Sequence, residues 1–405
     1  MTATTRTRVA REAGRIRDLE LTHAQARRLE VDGVGTCRPG ATVDTFDVDV
    51  DNIAGVVTIG GLQLIITPKL PVGSLLWLWA YGNLGMKMLA APAALDDSDI
   101  TASVTQLFLD LVDKAIGPGL LQGYRDVDDT HVVLKGRVRL GDQLSRHMGV
   151  LHPLELTYQE YGVNIAENQL LRAALQALHR VIGLSSAGTL SKRRLHLLHR
   201  LTIMDKRFTG VTVVPAGAPL PHCSRNRLNQ RYHQALDLAE LVLSGSGVDS
   251  AAGHLAGRSF IIKVWDVFES AVTRAVRQAL PTMTVRGQSS RSYVDGHPAL
   301  QLRPDILIED ECGRTHAIAD VKYKRAEPTR SDIHQMVTYA TVYGLPAVDL
   351  IYPASNAEPT GTIEKMPIIG TGITVRIHRV DLTDPAAHFE NHVADIADAI
   401  VGKHT

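Results

Sequence analysis

Between residues 259 and 352 the chain reads helix, strand, strand, helix, strand, and this succession restricts its fold more than any other feature. Apolar residues recur at helical spacing over 259–280. They run or alternate as in strands over 299–308 and 315–323, return to helical spacing over 331–343, and end in a strand over 347–352. The two strands separated only by residues 309–314 must form a hairpin, whereas the next strand is reached through a helix. A short hairpin followed by a helical crossover predicts a mixed sheet flanked by helices.

The rest of the chain needs further cores, because 405 residues with 44% hydrophobic content exceed what one core accommodates. Three regions are expected: a small mixed α/β domain over 1–95, a mostly helical region over 96–250, and the α/β segment over 251–405. Within the first, a short helix is predicted over 22–32, strands over 43–50 and 56–67, and a helix over 74–89. The second opens with a helix over 101–116, stopped by Gly117-Pro118-Gly119. A polar loop follows, then a strand over 132–140 whose wet face carries His131, Val133, Lys135, Arg137 and Arg139. Helical spacing returns over 164–203, with one stripe of Leu170, Leu171, Ala174, Leu175 and Leu178 and another of Leu195, Leu198 and Leu201. A further helix over 225–243 ends in the SGSG of 244–247, which opens a linker reaching residue 253.

Composition excludes several classes. Forty-three basic and 43 acidic residues give a formal charge of zero, so any nucleic-acid surface must be local. Cys37, Cys223 and Cys312 lack the paired spacing of a zinc site or a disulfide framework, which points to a reducing compartment. The basic opening segment has no apolar core of the signal-peptide kind, and the apolar stretch at 74–80 is too short to span a bilayer. A cytoplasmic protein without a membrane segment is expected. No G-x-x-x-x-G-K-[ST] occurs, so no nucleotide should be bound by a P-loop of this chain.

The chemistry-bearing residues lie on the hairpin. Pro304-Asp305 falls in one strand and Asp320-Val321-Lys322 in the next. Residues two apart in a strand share a face, so Asp320 and Lys322 point together, Val321 packs beneath, and the hairpin brings Asp305 alongside. Two carboxylates with the Val321 carbonyl form the hard, oxygen-rich set that Mg²⁺ or Mn²⁺ accepts, and a nearby lysine can orient water or offset charge on a phosphate. A solvent-facing strand edge also carries such charges, but no other lysine in the chain has an acid two residues before it. Gln335 and Tyr339, four apart on one helical face, could contact a substrate phosphate or brace the site, or Tyr339 could be core. Lys324 follows two residues after Lys322 and is a further candidate for a phosphate contact. His196 and His199, set among Lys192, Arg193, Arg194 and Arg200, fit a solvated basic face better than a metal pair.

The arrangement resembles the PD-(D/E)xK nuclease superfamily, and the surrounding words resemble the McrC family, the nuclease subunit of McrBC modification-dependent restriction systems. LRPDILI (302–308), ADVKYK (319–324), HQMVTYATVYG (334–344) and LIYP (350–353) follow that family's nuclease block in order and spacing. WDVFESAV (265–272) is similar to its helix bearing the first acidic residue, here Glu269. ITPKL (66–70), GLLQGY (119–124), LKGRVRL (134–140), AENQLLRAAL (166–175) and RNRLNQRYHQALDLAE (225–240) are similar to its upstream words, so the resemblance covers the chain from about residue 55.

The resemblance implies a restriction-endonuclease-like nuclease domain in which Asp305 and Asp320 hold the metal, Lys322 is the catalytic lysine and Glu269 is an auxiliary ligand. It also implies a McrB-like AAA+ GTPase ring as partner, with modified double-stranded DNA as substrate and paired nuclease domains for double-strand cleavage. Residues 1–250 then serve mainly the partner, and Lys135, Arg137 and Arg139 are candidates for reaching the ring's nucleotide sites. Two alternatives stand beside this reading: a stand-alone PD-(D/E)xK nuclease of another defence or repair pathway, and a non-cleaving adaptor that activates an NTPase ring.

Overall fold

The computed structural model describes residues 6–85, 99–148, 150–183, 191–215, 218–244, 260–288, 291–292, 301–324, 327–354, 360–361 and 364–402. The chain divides into two compact units, each discontinuous in sequence. One comprises Met1–Thr7, Val56–Gln63 and Val104–Ile261; the other comprises Arg8–Gly55, Leu64–Ser103 and Ile262–Thr405. Most of the linker expected after residue 244 lies outside the described residues, as do residues 86–89 of the helix expected over 74–89.

The second unit contains the expected mixed sheet. Among the described residues its strands run in the order Thr284–Gly287, Ile306–Glu309, Thr315–Val321, Ala347–Pro353, Thr374–Val380, Glu364–Pro367. Ile306–Glu309 and Thr315–Val321 form the hairpin, antiparallel, with Ile306 opposite Ala319. The chain then crosses through helix Arg330–Tyr343 and returns parallel, with Asp320 beside Leu350. That helix covers one face through Met336, Tyr339 and Ala340, packed on Ile318, Val348, Leu350, Val375 and Ile377. Thr315–Val321 is buried from Ala317 onward, the signature of a strand covered on both faces. The edge strands Thr284–Gly287 and Glu364–Pro367, the inner strand Thr374–Val380 and the closing helix Pro385–Val401 extend this architecture beyond the sequence reading. The segment expected as helix from 259 begins instead with strand Phe260–Lys263, and helix Val264–Ala279 follows.

Helix Val264–Ala279 is held by residues distant in sequence. Tyr81 donates a hydrogen bond of 2.8 Å to Gln278 Oε1, and Trp77 stacks on Tyr81 at 5.0 Å. Gly82 lies so close to the helix that an added Cβ would meet the Ala271 nitrogen at 2.9 Å. The contact is with backbone, so only glycine allows the approach. Elsewhere in this unit, the short helix expected over 22–32 is His23–Val31, and it starts at a capping box in which Thr22 and Gln25 satisfy each other's backbone N–H groups. Strands Arg6–Arg11 and Arg15–Glu20, which precede it in the chain, were not legible in the sequence.

In the first unit, helices Ala166–Gly183 and Lys192–Arg207 carry the apolar stripes. Leu170, Leu171, Ala174, Leu175 and Leu178 are buried as expected. On the second helix the buried stripe is Leu197, Leu201 and Met204, whereas Leu195 is 52% exposed, so the apolar face is rotated from the one predicted. The helix predicted from 225 begins only at His233, after a short 3-10 turn over Gln230–Tyr232.

The expectation for residues 120–140 is corrected. The long strand is Gly123–His131, paired residue for residue with Leu154–Gly162, in the segment predicted as a polar loop. Residues 132–136 connect it to a two-residue strand, Arg137–Val138, and Leu140 opens the helix Leu140–His147. Lys135, Arg137 and Arg139 therefore do not line one strand face. Cross-strand pairing sets this strand, and of its alternating half-buried and exposed residues only Val127 and Tyr124 are apolar or aromatic, so hydrophobic period could not reveal it.

Candidate active site

The break in the first hairpin strand places Asp305. Proline has no N–H to give the ladder, and the chain leaves strand pairing between Gln301–Leu302 and Ile306–Glu309, at Arg303, Pro304 and Asp305. Asp305 then turns its side chain to the neighbouring strand end, where Oδ2 accepts a 2.8 Å hydrogen bond from the Val321 N–H. On that strand Asp320 is fully buried. Lys322 Nζ lies 2.5 Å from Asp320 Oδ2, so the two side chains share a face as their spacing requires. That ion pair engages Oδ2, while the buried Oδ1 has no hydrogen-bond partner. Lys322 keeps strand pairing one residue further, its N–H donating to the Ile351 carbonyl at 2.9 Å.

Glu269 joins these residues from helix Val264–Ala279. Its Oε1 accepts a 2.9 Å hydrogen bond from Gln288 Nε2, and the Gln288 N–H donates to the Asp305 carbonyl at 3.2 Å. Gln288 thus links the helix to the Pro-Asp segment from a left-handed backbone conformation, φ +47°. Nothing in the sequence singled it out, since its role depends on a long-range approach.

The electrostatics show one crowded group. Burial raises the Asp305 carboxyl well above the ordinary aspartate range, and the charges of Asp320 and Glu269 add to this; the Val321 N–H and Lys322 oppose it only in part. Glu269 is raised too, chiefly by burial and further by Asp266 and Asp320, against the Gln288 hydrogen bond and Lys322. Burial works against the Lys322 ammonium, but Asp320, Asp305 and Asp332 outweigh it and hold the lysine above its ordinary range.

Of the supporting residues, Gln335 Nε2 donates to Tyr339 Oη at 2.7 Å. Burial pushes the Tyr339 phenol up to about 12, with further contributions from the Asp320 and Asp305 charges, so this helix face does lie beside the carboxylates. Tyr339 is 2% exposed and belongs to the core cluster as well. Lys324 does not continue the face of Lys322. Its N–H bonds back to the Lys322 carbonyl at 3.0 Å, a tight turn that ends strand alternation. Its ammonium contacts Asp332 and lies 3.4 Å from Thr329 Oγ1. The sequence reading also missed Asp332, although Thr329 and Asp332 have the spacing of a capping box at the start of helix Arg330–Tyr343. In the other unit, Arg139 is engaged by Asp142, by Glu155 at 2.8 Å and by Asp128 at 3.6 Å, while Lys135 lies over the Tyr158 ring at 5.7 Å.

The donor chemistry fits a divalent cation. Three carboxyl groups crowd one lysine ammonium, and the fully buried Asp320 has Lys322 against Oδ2 but no hydrogen-bond partner at Oδ1, an oxygen-rich set that a hard cation would balance. Among the described residues, no three His, Cys, Asp or Glu side chains converge closely enough to hold a metal ion as they stand. In this arrangement Lys322 supplies the positive charge next to Asp320.

The family model described as "McrBC 5-methylcytosine restriction system component" matches residues 48–353. The chain belongs to this McrBC family. The match includes Glu269, the hairpin carboxylates, Lys322 and the crossover helix. Among solved structures, the chain resembles one from a "refined half-complex from tetradecameric assembly of Thermococcus gammatolerans McrB AAA+ hexamers with bound McrC". The TM-score is 0.62 at 15% identity, over 97% of this chain and 100% of that one, which shows a common fold. A chain of the Thermococcus gammatolerans McrBC complex matches at TM-score 0.41 and 15% identity, over 68% of this chain and 88% of that one. No curated protein matches the sequence. Among the described residues no helix is long and apolar enough to cross a membrane.

Proposed function

We propose that this McrBC-family chain is the Mg²⁺-dependent DNA endonuclease subunit of a McrBC-like restriction complex, cutting modified double-stranded DNA together with a McrB-like AAA+ GTPase ring whose hydrolysis it stimulates. The observation that carries the cleavage part is the buried Asp320, paired with Lys322 at Oδ2 and without a hydrogen-bond partner at Oδ1, beside Asp305 and Glu269. On this reading residues 251–405 do the cutting, while 1–95 and 96–250 serve the partner.

Asp305 and Asp320, with the Val321 carbonyl and Glu269, would hold Mg²⁺ or Mn²⁺; when bound, the ion supplies Lewis acidity toward the phosphate and eases ionisation of water. Lys322, beside Asp320, would orient the attacking water and offset charge on the phosphate. Gln288 and the Val321 N–H fix the directions of Glu269 and Asp305. Gln335 and Tyr339 brace the same face. Cleavage of both strands by a single-site subunit calls for two nuclease domains.

A docking role for the other unit is supported by its exposed apolar surface. Val132, Val133, Leu134, Leu144, Met148 and Leu151 are all more than half exposed, an unusual concentration of apolar surface around the Leu140–His147 helix. Lys135 and Arg137 lie in or beside the same segment and are candidates for reaching the ring's nucleotide sites.

The test is cleavage of modified DNA in Mg²⁺ by this chain with and without the neighbouring-gene NTPase, comparing the wild type with Asp305→Ala and Lys322→Ala. Cleavage that needs both proteins and is lost in each variant, while stimulated NTP hydrolysis survives, supports the proposal. Cleavage without any ring favours a stand-alone nuclease. Stimulation without cleavage by the wild type favours the adaptor.

A further inference from the structure

We propose that the π-helical turn Ala80–Leu84 is a positioning element for the nuclease site: Gly82 sets how closely helix Val264–Ala279 approaches, and so where Glu269 stands, while Tyr81 fixes the far end of that helix. The inference rests on the nuclease reading, with Glu269 as an auxiliary metal ligand. It moves residues 80–84 from the partner-serving region to the cutting machinery.

The turn and the helix belong to the same compact unit. Residues 80–84 continue helix Val72–Trp79 as a π-helix, which closes at Gly85 in the left-handed conformation, φ +66°. Turns of this kind are uncommon and recur at functional sites. A Cβ added at Gly82 would stand 2.9 Å from the Ala271 nitrogen, 3.1 Å from the Ser270 carbonyl carbon and 3.2 Å from the Ala271 Cα. Those atoms flank the peptide bond that begins one residue after Glu269. All three are backbone, so a change of rotamer cannot relieve the contact.

The turn is itself held firmly. Tyr81 is fully buried, stacked on Trp77, and Phe389 of the closing helix stands edge-on to both rings at 5.8 and 5.7 Å. Through its hydroxyl Tyr81 also grips Gln278, near the end of the helix that bears Glu269. From Glu269 the contacts run on to the site: its carboxylate accepts from the Gln288 side chain, and the Gln288 N–H donates to the Asp305 carbonyl. Carbon atoms rest at about 3.5–4.0 Å, so a methyl at Gly82 must push the Ser270–Ala271 backbone away by roughly half an ångström. A misplacement of about 1 Å costs on the order of a hundredfold in rate, and half of that about tenfold.

The test separates a positioning role from ordinary packing by asking whether the effect passes through Glu269. In the complete complex with its NTPase, modified DNA and varied Mg²⁺, single-turnover cleavage is measured for the wild type, Lys322→Ala, Gly82→Ala, Tyr81→Phe, Glu269→Gln and the two double variants that combine Glu269→Gln with Gly82→Ala or Tyr81→Phe. The rise in melting temperature on adding Mg²⁺ is measured for each chain without DNA. Gly82→Ala should slow cleavage about tenfold and Tyr81→Phe about threefold, each with a higher Mg²⁺ concentration for half-maximal rate and a smaller Mg²⁺-induced rise in melting temperature than the wild type. In the Glu269→Gln background neither substitution should slow cleavage by more than about twofold further, because the group that they position is gone. A glycine needed for packing alone would slow cleavage by the same factor in both backgrounds.

Gly82→Ala with the wild-type rate and Mg²⁺ response, or a loss that multiplies with that of Glu269→Gln, overturns the proposal. Where Gly82→Ala does not fold, Tyr81→Phe decides by the same two comparisons. Glu269→Gln that cuts like the wild type removes this inference and leaves Asp305, Asp320 and Lys322 standing. Wild-type protein that does not cut, or Lys322→Ala that cuts normally, removes the nuclease reading and this inference with it.

Discussion

Removing Asp349 should destabilise the sheet that carries the site as much as a large apolar truncation in its core. Asp349 is fully buried on the strand beside Asp320's, opposite Ala319 in register. Arg376 grips it with two hydrogen bonds of 2.7 and 2.6 Å, and His378 Nε2 lies 2.8 Å from its Oδ1. Arg376 also donates to the Ala399 and Ile400 carbonyls at 3.1 Å, tying the last helix to the sheet. Asp349→Ala leaves the Arg376 guanidinium in a nearly closed environment without its counter-charge, which costs about 3–5 kcal/mol.

The protein's three tryptophans, Trp77, Trp79 and Trp265, all belong to the same compact unit as Asp349, so their fluorescence in a urea titration reports the unit in question. With a urea dependence of about 2–3 kcal/mol/M, the midpoint should fall by roughly 1–2.5 M at unchanged slope. The double variant Asp349→Ala/Arg376→Met should lose less than Asp349→Ala alone, since it buries no orphan charge. A midpoint within about 0.3 M of wild type for Asp349→Ala, below the extrapolation error, would refute the argument, meaning that the helix carbonyls suffice for Arg376.

Other perturbations test the remaining parts. Burial and its acidic neighbours raise the Asp305 carboxyl to about 8, so Asp305→Asn, which keeps an acceptor for the Val321 N–H, should melt about 2–4 °C higher in metal-free buffer at about pH 9, where the wild-type group carries its charge. Added Mg²⁺ should raise the melting temperature of the wild type and not that of this variant, and a lower melting temperature for Asp305→Asn would contradict the crowding. Leu197→Ala should cost about 2–5 kcal/mol and Leu195→Ala less than about 0.5 kcal/mol by denaturant titration, because only Leu197 is enclosed; equal losses would mean that the predicted stripe is the buried one after all. Arg139→Ala should lower the melting temperature through loss of its ties to Glu155 and Asp142, whereas Lys135→Ala or Arg137→Ala should lower stimulated NTP hydrolysis without changing melting. A fall in melting for all three would make them structural.

The core of the site was legible because its geometry is local. The two-residue period of a strand puts Asp320 and Lys322 on one face, and a hairpin too short for any other connection brings Asp305 to them; no distant residue is needed to decide either point. Helix His23–Val31 could be read for the same reason, since its start is fixed by Thr22 and Gln25 alone. The tertiary structure decided what depends on approach between distant segments. Glu269 reaches the carboxylates because its helix is packed on Tyr81 and Gly82, and Gln288 acquires a role only when that helix and the Pro-Asp segment are both in place.

The same limit explains the misplaced strand. Gly123–His131 is mostly polar on both faces and is set by nine cross-strand pairs with Leu154–Gly162, whereas the alternating residues after it form a connection and a helix start. Lys324 marks the boundary most sharply. Strand periodicity places it with Lys322, but periodicity holds only while the backbone stays extended, and the turn at Lys322 sends its charge to Asp332. Sequence patterns carry information over the few residues in which backbone geometry repeats. Where a charge finds its counter-charge is settled by burial, because an ionised group in the interior is stable only beside the partner that the whole fold brings to it.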